Sequence, residues 1–197
     1  MATMIDELCE RITARSPKNG EFLMVAVDGR GGSGKSTLTD ELARHLPGFT
    51  IMHGDDYWEP SQDSEFGWFN EDRFHHDVVE PLSKGQRRLA YRPYIWESEP
   101  HLRSQELVVD AGIAIERCYS IGLPLDWDYT IWVDATPELA LERGIARDPH
   151  QAEVWANLWL PREDAYIERE QPKTRADTVI DATLPFTQTS PRPEHHI

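Results

Sequence analysis

The sequence predicts a three-layer α/β domain, with a parallel sheet of about five strands. Three observations carry that prediction. Short apolar runs rich in β-branched residues alternate with amphipathic stretches along most of the chain. A glycine-rich turn at residues 29–36 stands between one such run and a helix. The 197 residues suit one α/β core, expected over residues 1–184.

The elements follow in order. Residues 3–15 place Ile5, Leu8, Cys9 and Ile12 on one helical face. The turn SPKNG leads into the first strand, which ends at Asp28. A helix after the glycine-rich turn stops before Pro47, and FTIMH at 49–53 forms the second strand. Helical spacing returns from Glu71 to Lys84. LVVD, Leu107 to Asp110, is expected as the third strand, with a helix around Glu116–Ile121 after it. The fourth strand is Tyr129 to Val133, and Pro137 opens another helix. Residues 151–171 are helical on either side of Pro161, and Thr178–Ile180 give the last strand. The tail at 185–197, rich in Thr, Pro and His, is expected to be disordered.

The stretch FLMVAVDGRGGSGKST, Phe22 to Thr37, fills every position of GxxxxGK[ST] with Gly29, Gly34, Lys35 and Ser36. A phosphate chain needs several backbone N–H groups aimed at it, and a loop poor in Cβ atoms lets the backbone wrap that closely. Gly29, Arg30, Gly31, Gly32, Ser33, Gly34, Lys35, Ser36 and Thr37 are therefore expected around the phosphates of a nucleoside triphosphate. Lys35 supplies a charge to the β/γ-phosphates and Ser36 a hydroxyl to Mg²⁺. The fold expected is that of the P-loop nucleoside triphosphatases.

Net charge is −15 and the pI near 4.9, which speaks against a nucleic-acid surface. Acids as early as Asp6 and Glu7 are not those of a signal peptide, and no apolar run reaches membrane-spanning length. Two isolated cysteines, Cys9 and Cys118, fit a reducing cytoplasm. His75, His76 and the His195–His196 pair have no partner at metal spacing. Homo-oligomerisation stays open.

The second strand ends in HGDDYW, which puts Asp55 and Asp56 where open α/β sheets hold their ligands. A carboxylate there can orient an acceptor hydroxyl for in-line attack and help hold Mg²⁺. An Asp pair can also be a solvated turn or helix cap.

DGRGGSGKST followed by DDYW resembles the uridine kinase branch of the P-loop kinases, a group that includes phosphoribulokinase and pantothenate kinase. The resemblance implies that Asp55 acts on the acceptor hydroxyl and that Tyr57 or Trp58 shapes the acceptor pocket. It places Asp110, closing LVVD, near the metal, where the family usually has glutamate. IWVDATPELALERGIARD is similar to the segment leading into the lid, expected near residues 147–160. Its R-R-x-x-R-D pattern falls on Arg143, Arg147 and Asp148, with Gly144 at the second arginine. Arg147 is the stronger candidate for neutralising the transferring group, whereas Arg143 could equally form a surface pair. ADTVID resembles the last strand, beside the adenine pocket. In the acceptor region GWFNEDRF and RPYIWESEPHLR only echo the family, offering Tyr94, Trp96, His101 and Arg103 with altered spacing.

Seven tryptophans stand out, and Trp58, Trp68 and Trp96 fall in the acceptor region, where they stack on a planar ligand or pack a loop-rich cap. Trp155 and Trp159, four apart, are expected to pack core or lid. The expected function is ATP- and Mg²⁺-dependent phosphorylation of a small-molecule hydroxyl, with a nucleoside as leading acceptor. Its rivals are a kinase for a sugar, a pantothenate-like acid, an antibiotic or a nucleoside monophosphate, and a nucleotide-binding regulator that transfers nothing.

Overall fold

In the computed structural model, which describes residues 3–61, 67–94 and 104–183, β1 (Leu23–Gly29) runs through the centre of the molecule, buried along its whole length. A strand covered on both faces needs apolar side chains at every position, and LMVAV supplies them. β1 pairs in parallel with β5 (Gly112–Glu116) on one side and β6 (Tyr129–Asp134) on the other. β2 (Phe49–His53) and β7 (Thr178–Asp181) close the edges, giving a five-stranded sheet in the order β2-β5-β1-β6-β7. All four pairings are parallel, so every strand delivers its carboxyl end to the same edge.

Helices cover both faces. One face packs Leu8 and Ile12 of α1 (Met4–Thr13), Leu38 and Leu42 of α2 (Lys35–His45), and Ala140 of a helix at Pro137–Arg147 against the sheet. α1 starts in a capping box between Thr3 and Asp6, which satisfies two N-terminal donors. The opposite face is more aromatic and includes Tyr57, Phe69, Phe74, Tyr119, Trp127, Trp132 and Tyr166. No described helix is long and apolar enough to cross a membrane.

We label the helical segment at 71–83 α3, the helix Pro137–Arg147 α4, and the helical segment at 152–170 α5. α3 and α5 each contain a turn of π-helix, at His75–Val79 and Trp155–Trp159. Each precedes a proline, Pro81 or Pro161, which has no N–H for the carbonyl four residues back. The wider turn lets Glu80 N–H reach His75 O and Leu160 N–H reach Trp155 O, so the helix runs on.

Two sequence expectations are corrected. The stretch expected as the third sheet strand instead forms β4 (Gln105–Val108), antiparallel to β3 (Arg88–Tyr91) in a separate hairpin. The strand that enters the main sheet is β5, and the helix expected around Glu116–Ile121 is the end of β5 and a turn. Gly112 admits β5 because a Cβ there would lie 2.6 Å from the Phe49 ring. The tail beyond residue 183 lies outside the described residues.

Candidate active site

The phosphate loop is held from below by Asp28, a buried carboxylate with four donors. Its Oδ1 accepts from Gly29 N at 2.7 Å and Tyr119 N at 2.9 Å, and its Oδ2 from Ile121 N at 3.0 Å and Tyr166 Oη at 2.6 Å. Burial pushes its carboxyl up, with the donors pulling the other way. The network also holds Tyr119 in the left-handed region at φ 72, an uncommon conformation for a bulky residue, on the wall of the cleft.

Gly32 turns the loop at φ 78, where a Cβ would lie 2.4 Å from Ala140 O. Gly34 stands at the N-cap of α2 without a side-chain cap. That end of α2 faces the cleft and carries the positive end of the helix dipole. Lys35 is buried, and its Nζ donates to Gly29 O at 3.0 Å and Arg30 O at 2.9 Å, with Cys118 Sγ at 3.3 Å. Burial works against the ammonium, but Glu116, Glu163 and Asp28 around it hold its pKa above the usual lysine value. Burial pushes the Cys118 thiol up to about 12, so it is neutral at physiological pH.

The carboxyl ends of β2 and β5 bring the acids. A single 3₁₀ turn, Gly54–Tyr57, follows β2 and presents Asp55 to the cleft. The protein crowding Asp55 raises its pKa; Arg117 opposes this and Glu116 adds to it. Glu116 closes β5, accepting from Ser36 Oγ at 3.2 Å through one oxygen and lying 2.9 Å from His53 Nδ1 through the other. Against its own burial, the bond to His53 and the charge of Lys35 hold Glu116 below the usual carboxylate range. The same hydrogen bond raises the pKa of His53.

Glu116 therefore takes the place expected of Asp110. Asp110 precedes β5, at the amino end of the sheet; its N–H donates to Gly48 O at 3.3 Å and its exposed carboxylate pairs with Arg87. The signal for Glu116 was in the sequence, as an acid directly after the apolar run GIAI.

α5 forms the far wall. The Trp155 ring lies against the phosphate loop and α4: a Cβ would come within 2.6 Å of it at Gly31 and 2.8 Å at Gly144. Arg147 lies over Trp155 at 5.3 Å from the ring centroid, and both line the cleft. Arg143 also lines it and donates to Ala182 O at 3.0 Å, beside the end of β7. Arg30, expected at the phosphates, turns away; its NH2 pairs with Asp164 at 2.6 Å, tying the loop to α5. Ser33 and Gly29 pack against each other at the base of the loop. Thr37 lines the cleft and is exposed.

The acceptor residues divide. Trp58 lines the cleft with Trp68 and Trp159. Trp68 and Trp159 meet edge-on with centroids 5.1 Å apart, Trp58 and Trp68 tilt at 6.1 Å, and Tyr94 packs edge-on behind Trp58 at 4.6 Å. Trp159 thus joins α5 to the loop after β2. Tyr57 does not face the cleft; it is 0% exposed, stacked on Tyr91 in the core. Asp56 accepts from Tyr91 Oη at 2.7 Å, and its carbonyl accepts from Arg73 and from Tyr94 N–H, so it braces the loop behind the cleft wall. Trp96, His101 and Arg103 lie outside the described residues.

These groups surround a cleft of about 1130 Å³, slightly larger than the usual small-molecule site. Mg²⁺ that rides on phosphate oxygens needs few protein ligands. The hydroxyl of Ser36 against the carboxylate of Glu116, with Asp55 on the same wall, is an oxygen donor set that fits it. Among the described residues no group of three His, Cys, Asp or Glu could hold a metal by itself.

The fold matches solved P-loop kinases. A possible uridine kinase from Bacillus stearothermophilus aligns with TM-score 0.65 and 23% identity, over 89% of this chain and 96% of that one. A candidate fructose transport system kinase from Silicibacter sp. TM1040 aligns with TM-score 0.65 and 20% identity, over 85% and 95%. The D-glycerate 3-kinase of Cryptococcus neoformans var. grubii aligns with TM-score 0.51 and 11% identity, over 96% and 97%. No protein-family model matches the sequence, and no curated protein does either. The chain has the three-layer fold of the uridine kinase-like P-loop kinases that its motifs resemble.

Proposed function

We propose that the protein transfers the γ-phosphoryl group of ATP to a hydroxyl of a small molecule, with a nucleoside as leading acceptor. The observation that carries this reading is the meeting of the phosphate loop, the Ser36–Glu116 contact and Asp55 in one cleft. The loop amides and the uncapped start of α2 receive the phosphates, and Lys35 turns its ammonium from the loop carbonyls toward them. Ser36 and Glu116 would hold Mg²⁺, which when bound neutralises charge on the phosphates. Asp55 receives the acceptor hydroxyl, orients it and takes its proton late, as a loose transition state requires. Arg147, which lines the cleft from the end of α4, meets the transferring group as α5 closes over it.

The aromatic lining of the acceptor end favours a planar substrate. Trp58, Trp68 and Trp159 offer apolar faces there. Two cations stand at that end among the described residues: Arg117 is buried, with its guanidinium 4.1 Å from the Phe69 centroid and donating to Gly67 O at 3.1 Å, and Arg162 lies over the Trp68 ring at 4.3 Å from its centroid. Arg117 is held in packing, so a charged group on an acceptor would meet Arg162 first. The test is ADP formation with Mg-ATP across uridine, cytidine, their monophosphates, simple sugars and pantothenate. Turnover dependent on a nucleoside supports the reading; turnover with a monophosphate alone overturns the acceptor and keeps the chemistry. ATP binding with no turnover on any of them counts against transfer.

A further inference from the structure

Glu163 has no part in the reaction just described, yet it lies inside the phosphate site. It is 5% exposed, lines the cleft from α5, and its Oε1 accepts the Gly31 N–H at 2.9 Å. A backbone N–H of a phosphate loop is a donor for an anion, and here a carboxylate of the protein already holds it. Oε1 also lies 3.8 Å from Cys118 Sγ, the atom that Lys35 Nζ approaches at 3.3 Å. The charge of Glu163 is therefore close to the lysine that serves the phosphates.

A second feature gives this carboxylate somewhere to go. Arg30 NH2 is taken by Asp164 at 2.6 Å, but its buried NH1 has no hydrogen-bond partner among the described residues. That nitrogen stands 4.0 Å from Glu163 Oε2, beyond hydrogen-bond reach. A small swing of the side chain away from Gly31 would complete the pair. Glu163 thus sits on the loop amide with a second partner, Arg30, just out of hydrogen-bond reach.

We propose that Glu163 is a counter-anion built into the phosphate site, displaced by an incoming nucleotide from Gly31 onto Arg30, and that it sets the selectivity among mono-, di- and triphosphates. This rests on the nucleotide reading of the cleft. A carboxylate beside the phosphates opposes ligands in proportion to the charge they bring near it. Its removal should therefore favour the triphosphate most.

The experiment is equilibrium binding of ATP, ADP and AMP, with Mg²⁺, to the full chain. Glu163→Gln keeps the size and should bind ATP about tenfold more tightly and ADP by a smaller factor, with AMP changed less than about twofold. Arg30→Gln should weaken ATP binding, and the loss should vanish in the double variant, where no carboxylate needs a new partner. Glu163→Asp, which keeps the charge but withdraws it from Gly31, should give the same ranking to a smaller extent, and serves if the glutamine variant fails to fold. Equal or weaker ATP binding by the Glu163 variants would overturn the proposal, as would an unchanged Arg30 effect in the double variant. A wild-type chain that binds none of the three nucleotides would overturn the nucleotide reading itself.

Discussion

Asp55 is presented to the cleft by a single 3₁₀ turn and lies beside Arg117 and Glu116, so its environment is set by three chain segments at once. If it orients and deprotonates the acceptor, Asp55→Asn should lower kcat by at least ~10² while leaving ATP affinity nearly unchanged. Steady-state kinetics alongside nucleotide binding checks both halves. The His53–Glu116 pair makes a different prediction. The folded pKa of His53 is raised by its bond to Glu116, so the stability it contributes is fully present below about pH 6.5, its unfolded value. That contribution is lost as pH rises through the folded value. Thermal unfolding of wild type and His53→Gln should differ more at pH 6 than at pH 8.5, and an equal difference at both would remove the pair from the stability account. His53 and Glu116 were legible as residue types but not as a pair, because 63 positions separate them and only the β2–β5 pairing brings them together. Glu163 was less legible still: it stands in an acidic stretch of helix, where a solvated acid is the ordinary expectation.

Between elements, the docking of α5 is the critical contact. Trp155 seats its ring where Gly31 and Gly144 leave room, and Trp159 reaches Trp68 across the cleft. Gly144→Ala would put a methyl group 2.8 Å from the indole and should destabilise the docked helix by about 1–3 kcal/mol, the usual cost of overpacking. Denaturant unfolding and tryptophan emission would both register it; no change in either would mean α5 is not seated on the loop in solution. The sequence showed Gly144 only as a gap in an arginine pattern, and the indole that fills the gap explains it. The hairpin β3–β4 shows why one strand was misplaced. LVVD and GIAIE are both short apolar runs, and periodicity does not tell a hairpin strand with Val108 45% exposed from a strand buried on both faces. Their difference lies in Gly112, whose missing side chain admits Phe49, and that contact exists only in the assembled sheet.

At the scale of the whole molecule, one sheet edge gathers everything the proposed reaction needs, and parallel pairing is the reason. The loop between β1 and α2, the turn after β2 and the end of β5 meet because each strand points the same way. The phosphate loop and the five-strand α/β class were therefore readable from local pattern, whereas the closing wall, built from α5 and the loop after β2, depends on tertiary packing. ATP at about 100 Kd should stabilise the fold by ~2.7 kcal/mol. Lys35→Met should abolish most of that stabilisation, as calorimetry with and without nucleotide would show. Such a shift reports binding and says nothing of transfer. The most direct test of transfer follows the label from γ-³²P-ATP in wild type and Asp55→Asn, with uridine and cytidine as acceptors. The account predicts label in a nucleoside monophosphate with wild type, and its loss in Asp55→Asn while ATP still binds. Label appearing only in inorganic phosphate, or transferred equally well by Asp55→Asn, would contradict it.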